Sequence, residues 1–78
     1  MTRRQKEIIE WLAVDPERYL YWAPSESAYR GAGRGVALGG RLGRISHRTV
    51  EQMTQAGFLE AHEKSLQRTE YRLPEGRP

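Results

Sequence analysis

The arginines of this 78-residue chain are the residues best placed to do chemistry. The chain has a formal net charge of +3, yet the segment 30–48 alone holds five arginines and no Asp or Glu. Residues 1–29 and 49–78 each carry four basic and five acidic groups. Guanidinium groups bind phosphates and carboxylates, so the segment indicates a nucleic acid or an acidic protein as partner, unless it is a solvated loop. The five residues are Arg30, Arg34, Arg41, Arg44 and Arg48.

The composition gives little support to other kinds of site. The chain has no cysteine, which excludes disulfides and thiolate metal sites, and two histidines alone make a poor metal site. We find no phosphate-binding loop and no set of nucleophile, base and orienting residue, so we expect neither an enzyme nor a cofactor. The longest uncharged apolar run, Trp11 to Val14, is far shorter than a membrane span. We expect a cytoplasmic protein of one domain, 1–78, without membrane contact.

The first element is a helix predicted over 2–14. Thr2 and Gln5 have the spacing of a capping box, in which each residue caps the backbone of the other. The pattern ends at Asp15-Pro16, because a proline disfavours helical backbone at the residue before it. The apolar residues Ile8, Trp11 and Leu12 fall on one face of this helix.

The segment 19–44 is predicted to be irregular, with short strands. Tyr19 to Ala23 reads YLYWA, an aromatic run typical of a strand, and Pro24 ends it. Six glycines between positions 31 and 43 disfavour a long helix and indicate mobile or tightly turning backbone. Val36-Ala37-Leu38 has the composition of a short strand or half-turn. We expect most of the large aromatic side chains to lie in the core or at a subunit interface rather than to stack on bases. These residues are Trp11, Trp22, Tyr19, Tyr21 and Tyr71.

A second helix is predicted over 46–56. Ser46 is a suitable N-cap, and Gly57 is placed to end the helix. Ile45 and Val50 have the spacing of a hydrophobic staple. The polar face of the helix suits base edges and water equally well. Val50 and Met53 form its apolar face, and its polar face carries Arg48, Glu51, Gln52 and Gln55.

The residues after this helix alternate in the manner of a β-hairpin, predicted over 58–73. Lys64-Ser65-Leu66 would lie near the tip, and 74–78 would form a polar tail. The alternating residues are Leu59 and Ala61 in the first strand, and Thr69, Tyr71 and Leu73 in the second.

About 34 of the 78 residues, from Arg44 onward, resemble the second half of a winged helix-turn-helix DNA-binding domain. In that family a short capped helix ends in an Ala-Gly pair, two apolar residues follow, and the chain enters a two-stranded wing. Here these features are the helix 46–56, Ala56-Gly57-Phe58-Leu59, and the hairpin that closes on Tyr71-Arg72-Leu73. The family also has an Ala- and Leu-rich helix before the turn, where this chain has its glycines. The resemblance implies a small α+β, winged-helix-like domain.

The resemblance further implies a sequence-specific double-stranded DNA-binding protein, a small regulator of transcription or of a mobile element that acts as a homodimer or with repeated sites. The second helix would enter the major groove, where Arg pairs with guanine and Gln with adenine. Under this hypothesis Arg48, Gln52 and Gln55 contact bases, and His47 and Thr49 lie near phosphates. Arg30, Arg34, Arg41 and Arg44 form a phosphate clamp, and Lys64 and Arg68 contact DNA from the wing.

Two other functions stay open at this point. A small inhibitor or adaptor of the phage or plasmid type would use the same fold and dock its arginine segment on an acidic protein. The acidic residues Glu51, Glu60, Glu63 and Glu70 favour this alternative. RNA binding by the Arg- and Gly-containing stretch is the third hypothesis.

Overall fold

A computed structural model of the chain describes residues 1–36, 42–66 and 68–74, and it is a small α+β domain. The predicted α+β class is therefore confirmed. The described elements are, in order, α1 (Arg3–Ala13), β1 (Tyr19–Ala23), β2 (Ala28–Ala32), α2 (His47–Gln55), β3 (Glu60–Ser65) and β4 (Arg68–Arg72).

The predicted capping box defines the start of α1, and the helix ends at Ala13, with Val14 as its C-cap. The Thr2 hydroxyl accepts a hydrogen bond from the Gln5 backbone N–H at 3.1 Å, and the Gln5 side chain accepts one from the Thr2 N–H at 3.0 Å. Beyond the helix, the Asp15 carboxylate accepts from the Glu17 N–H at 2.8 Å and holds the turn that leads into β1. The three predicted apolar residues of α1 are buried.

The strands form one antiparallel sheet of order β2-β1-β4-β3. Tyr21 lies opposite Arg30 of β2 and opposite Glu70 of β4, which makes β1 a central strand. The β3–β4 hairpin confirms the predicted hairpin, with an irregularity in its register between Glu63 and Ser65. Of the predicted tail 74–78, residues 75–78 lie outside the described residues.

The strand β2 was not predicted as a regular element. The glycines that begin at Gly31 had indicated mobile or tightly turning backbone instead. All five of its residues pair with β1. Gly31 lies under the indole of Trp11, and a Cβ built at Gly31 would lie 2.7 Å from Trp11 Cη2. The glycine therefore permits close packing of helix on sheet. Ala37, Leu38 and Arg41, on which other expectations depended, lie outside the described residues.

The two faces of the sheet differ because side chains alternate along each strand. Leu20 and Tyr29 point to the side of the helices, where they join the hydrophobic core. Tyr19, Tyr21 and Glu70 alternate with those residues and point to the other side, where the described chain places neither helix. The core also contains Ile8, Trp11, Leu12, Leu42, Ile45, Val50, Met53 and Leu59.

The aromatic residues of β1 are only partly in the core. Trp22 is 41% exposed, and Tyr19 and Tyr21 are partly exposed. Because side chains alternate along β1, Tyr19 and Tyr21 lie on the side of the sheet away from Leu20 and the core. Trp11 is buried, as expected.

Candidate nucleic-acid interface

Local backbone chemistry defines the length of α2. The Ser46 hydroxyl accepts from the Thr49 N–H at 3.2 Å and lies 2.8 Å from the Thr49 hydroxyl. At the other end Gly57 has φ +85, a conformation that favours glycine, and the Phe58 N–H donates to the Met53 carbonyl at 2.8 Å. The predicted helix is thus confirmed, with one residue fewer at each end.

The helix α2 is attached to the sheet at its start. Ile45 and Tyr29 exchange two backbone hydrogen bonds, of 2.7 and 2.8 Å, just before the N-cap. Val50 and Met53 are 1% and 0% exposed beneath the helix. The position of α2 is consequently fixed by both backbone pairing and apolar packing.

The outer face of α2 carries the predicted polar residues, and they are exposed. Arg48, Gln52 and Gln55 follow one another at helical spacing and form one stripe. We call this stripe, together with Glu51, the α2 outer face. Arg48 makes no ion pair with a carboxylate of the described residues. Glu51 lies 3.3 Å from His47 Nε2, which directs its charge toward the histidine rather than toward Arg48.

Two arginines of the segment 30–48 have acidic partners from earlier parts of the chain. Arg30 pairs with Glu26, and Arg34 pairs with Glu17 at 2.5 Å. Arg44 is exposed and has no such pair among the described residues, while Arg41 lies outside them. Part of the charge that looked uncompensated in the sequence is therefore neutralised. Among the described residues of this segment, Arg44 and Arg48, on either side of the N-cap, are the arginines without an acidic partner.

Some of the other predicted contact residues are exposed, and others already contact groups within the protein. Lys64 is exposed near the hairpin tip. Arg68 instead turns onto the sheet, where Nη2 donates to the Tyr19 hydroxyl at 2.6 Å and lies 3.0 Å from Glu70 Oε2. Thr49 uses its hydroxyl in the N-cap contact. Of these three side chains, Arg68 and Thr49 are engaged in contacts within the protein, whereas the exposed ammonium group of Lys64 can contact a ligand.

The strand register brings the start of α2 and the hairpin tip to the same end of the sheet. Leu20 lies opposite Tyr71 and Tyr21 opposite Glu70, so continuing that register places Trp22 beside Thr69. The Trp22 ring in turn lies 6.2 Å from the His47 ring at the start of α2. An exposed tryptophan thus lies between the start of α2 and the β3–β4 hairpin.

Two residues of this region have unusual environments that sequence reasoning missed. Glu70 is only 5% exposed, although it lies in an alternating strand of a polar hairpin. Its carboxylate lies 2.7 Å from Arg72 Nη2, besides its contact with Arg68. Burial, with a hydrogen bond to Tyr71 and the charges of Tyr71 and Glu51, raises the pKa of Tyr29 to about 12.

Comparison of the chain with protein-family models, curated proteins and solved structures finds no match. In the part of the chain that the structure describes, no three His, Asp or Glu side chains lie together in a way that would hold a metal ion. Nor does any described helix have the length and apolar character needed to cross a membrane.

Proposed function

We propose that this protein binds double-stranded DNA in a sequence-specific manner, as a small regulator of transcription or of a mobile element. The observation that supports this function best is the α2 outer face, an exposed stripe of Arg48, Gln52 and Gln55 on a helix fixed at both ends. Arg reads guanine and Gln reads adenine through paired hydrogen bonds, so the stripe offers three side chains suited to base edges.

The dimensions of α2 suit the major groove. An α-helix with its side chains is about 10–12 Å across, which matches the major-groove width of about 12 Å, and the nine residues of α2 would run for about 13 Å along the groove. Because Val50 and Met53 hold the opposite face of the helix on the core, the helix can enter the groove without losing its packing. The hairpin resembles the wing of the winged helix-turn-helix family and continues directly from α2 through Gly57.

The electrostatic contribution of one copy is small. Arg44 and Lys64 lie near the end of the sheet where α2 begins, and Arg48 adds a third exposed cation. Each neutralised phosphate steepens the salt dependence by about 0.9 in the slope of log K against log salt. Three contacts would give a slope of about −3, which corresponds to weak non-specific binding. We therefore propose that two copies act together as a homodimer on paired half-sites.

The test is fluorescence anisotropy of the full chain with a duplex selected from a random library. We expect Arg44→Ala to weaken binding to every duplex alike and to reduce the salt slope by about one. Gln52→Ala should instead lose discrimination at one base position, by on the order of tenfold. Arg3→Ala, an exposed arginine on α1, is the matched control and should bind as the unaltered chain does.

Two results would refute the proposal. One is that the unaltered chain fails to bind duplex DNA at low salt. The other is that Arg44→Ala and Gln52→Ala both bind with unchanged affinity and base preference. Light scattering on the same samples tests the dimer separately.

A protein-binding adaptor is the second candidate, and the exposure of Trp22 favours it. Tryptophan and arginine are the residues most often found at the energetic centre of protein interfaces. Trp22 is 41% exposed and lies beside His47. In this case Trp22→Ala and Arg44→Glu would abolish a complex with an acidic protein, and no duplex affinity would be measurable at any salt concentration.

A further inference from the structure

The side of the sheet opposite the helices carries a second set of side chains that the duplex-binding hypothesis does not use. Tyr19 and Tyr21 point to this side from the central strand β1, with ring centroids 6.4 Å apart. Arg68 and Arg72 flank them from β4, and we call these four residues the tyrosine face. We propose that the tyrosine face binds single-stranded DNA by stacking of its bases.

The tyrosine face is held in place before any ligand arrives. Arg68 Nη2 donates to the Tyr19 hydroxyl at 2.6 Å, and the guanidinium carbons of Arg68 and Arg72 lie 5.4 and 5.1 Å from the Tyr19 ring centroid. Glu70, buried beneath them, contacts both arginines. Binding would therefore order few side chains, which lowers its entropic cost.

Tyr21 is the ring available for stacking. Tyr19 has its ring engaged by two guanidinium groups, whereas the described ring and cation contacts of Tyr21 are limited to the tilted contact with Tyr19. Tyr21 is partly exposed and lies opposite Arg30 on β2. Because Arg30 pairs with Glu26, a base stacked on Tyr21 would be held mainly by its contact with the ring, and its phosphate would reach Arg30 only by displacing Glu26.

Two shallow cavities adjoin the tyrosine pair. One has a volume of about 410 Å³ and includes Tyr19, Tyr21, Arg34 and Arg72 in its lining. The other, of about 420 Å³, shares the two tyrosines and adds Trp22 and Arg68. Cavities of this size fall within the range of small-molecule sites, so each offers room for a nucleotide beside an aromatic ring and an arginine.

The charge of this side favours a single strand over a duplex. Arg30, Arg68 and Arg72 carry three positive charges against the three carboxylates of Glu26, Glu60 and Glu70, since Glu60 lies opposite Arg72 and faces the same side. With no surplus of positive charge, this side attracts a phosphate backbone little, so base stacking must supply most of the affinity. Bases in a duplex already stack on one another and cannot reach Tyr21. The choice of DNA rather than RNA rests on the proposed function of α2.

The experiment is anisotropy of the full chain with a labelled oligodeoxythymidine of about eight nucleotides, within the site size of single-strand binders. Tyr21→Ala should weaken binding by on the order of tenfold, while Tyr21→Phe, which keeps the ring, should bind as the unaltered chain does. The salt slope should be close to zero, since the positive and negative side chains of this side balance. Gln52→Ala, on the other side of the sheet, should leave this binding unchanged.

The controls separate this surface from the α2 outer face. Loss of duplex binding with retained oligodeoxythymidine binding would remove the proposed function and leave the single-strand site standing. The single-strand proposal fails if the oligodeoxythymidine does not bind, if Tyr21→Ala binds it unchanged, or if an oligouridine of equal length binds more tightly. A dimer in light scattering that dissociates in Tyr21→Ala would mean that a second copy covers this side, which also overturns the proposal.

Discussion

The α2 outer face and the tyrosine face use the same residue type in opposite ways. On α2, Arg48 is exposed and has no carboxylate partner among the described residues. On the tyrosine face, Arg68 and Arg72 share Glu70 and lie over the Tyr19 ring. A free guanidinium can exchange water for a phosphate or a base edge directly. A guanidinium paired with a carboxylate must first lose that carboxylate, so the main effect of Arg68 and Arg72 is to position the Tyr19 ring.

This contrast teaches that a count of arginines does not locate a binding surface. The α2 outer face belongs to a helix packed on one side of the sheet, and the tyrosine face is the opposite side of the same sheet. The first presents charged and amide side chains, and the second presents aromatic rings. The first should respond strongly to salt and base sequence, and the second weakly to both.

The largest stability effect should come from breaking the carboxylate network of the tyrosine face. Glu70→Ala would leave two arginines uncompensated, and we expect it to lower the free energy of unfolding by about 2–3 kcal/mol. This lies below the usual range for a fully buried pair because the Arg68 side chain is 53% exposed. Urea denaturation measures the effect, and Glu63→Ala on the exposed strand β3 is the control. Equal losses in both variants would mean that Glu70 has no special role.

The next effect should appear at alkaline pH, on the helix side of the sheet. Burial raises the pKa of Tyr29 from 10.0 in the unfolded chain to about 12. Because the folded pKa is the higher one, the stabilisation is complete below pH 10 and is lost as the pH rises toward 12. We expect a loss of about 1.4 kcal/mol by pH 11 from this group.

Thermal unfolding of Tyr29→Phe and of the unaltered chain, each followed against pH, checks this prediction. The difference between their stabilities isolates the Tyr29 hydroxyl from the other groups that titrate in this pH range. The variant should show a shallower decline in stability between pH 10 and pH 12. Tyr21→Phe, on the tyrosine face, should follow the unaltered chain. A Tyr29→Phe curve parallel to that of the unaltered chain would show that the Tyr29 hydroxyl is not in the described environment.

A smaller effect is expected at the N-cap of α2. Ser46→Ala removes the acceptor for the Thr49 N–H and should destabilise the protein by about 1 kcal/mol. Duplex affinity should fall with it as the first turn frays, whereas oligodeoxythymidine binding should not change. Ser25→Ala, in the exposed β1–β2 turn, is the control. Equal loss of both binding activities would show that the two faces are not independent.

The smallest effect should come from an exposed ion pair. Arg34 and Glu17 side chains are 79% and 56% exposed, so Arg34→Ala should change stability by less than about 0.5 kcal/mol. The same variant tests whether Arg34 leaves Glu17 to contact phosphate. If it does, duplex affinity and salt slope decrease as for Arg44→Ala. If it does not, both stay unchanged and the phosphate clamp excludes Arg34.

Elements whose signals are local could be predicted from the sequence. The capping box of Thr2 and Gln5, the Ser46 cap and Gly57 define α1 and α2 because each acts within one or two turns of backbone. The alternating pattern likewise predicted the β3–β4 hairpin. The exposed side chains of the α2 outer face followed from helical spacing alone.

Features that depend on distant contacts were not predictable in the same way. The strand β2 contains a glycine that lowers strand propensity, and it forms because β1 pairs with it and Trp11 covers Gly31. Arg34 pairs with Glu17, although the charge sums over 1–29 and 30–48 counted the two residues in different segments. Whether Glu70 would be buried depends on two arginines converging over it.

The sequence by itself determined the helices, the hairpin and the polar stripe of α2, since these follow from backbone capping and from the period of apolar residues. Only the tertiary structure decided which arginines are free, which tyrosines face outward and where Trp22 lies. The reason is that charge pairing and burial depend on distances between segments far apart in the chain, and the antiparallel register of the sheet sets those distances.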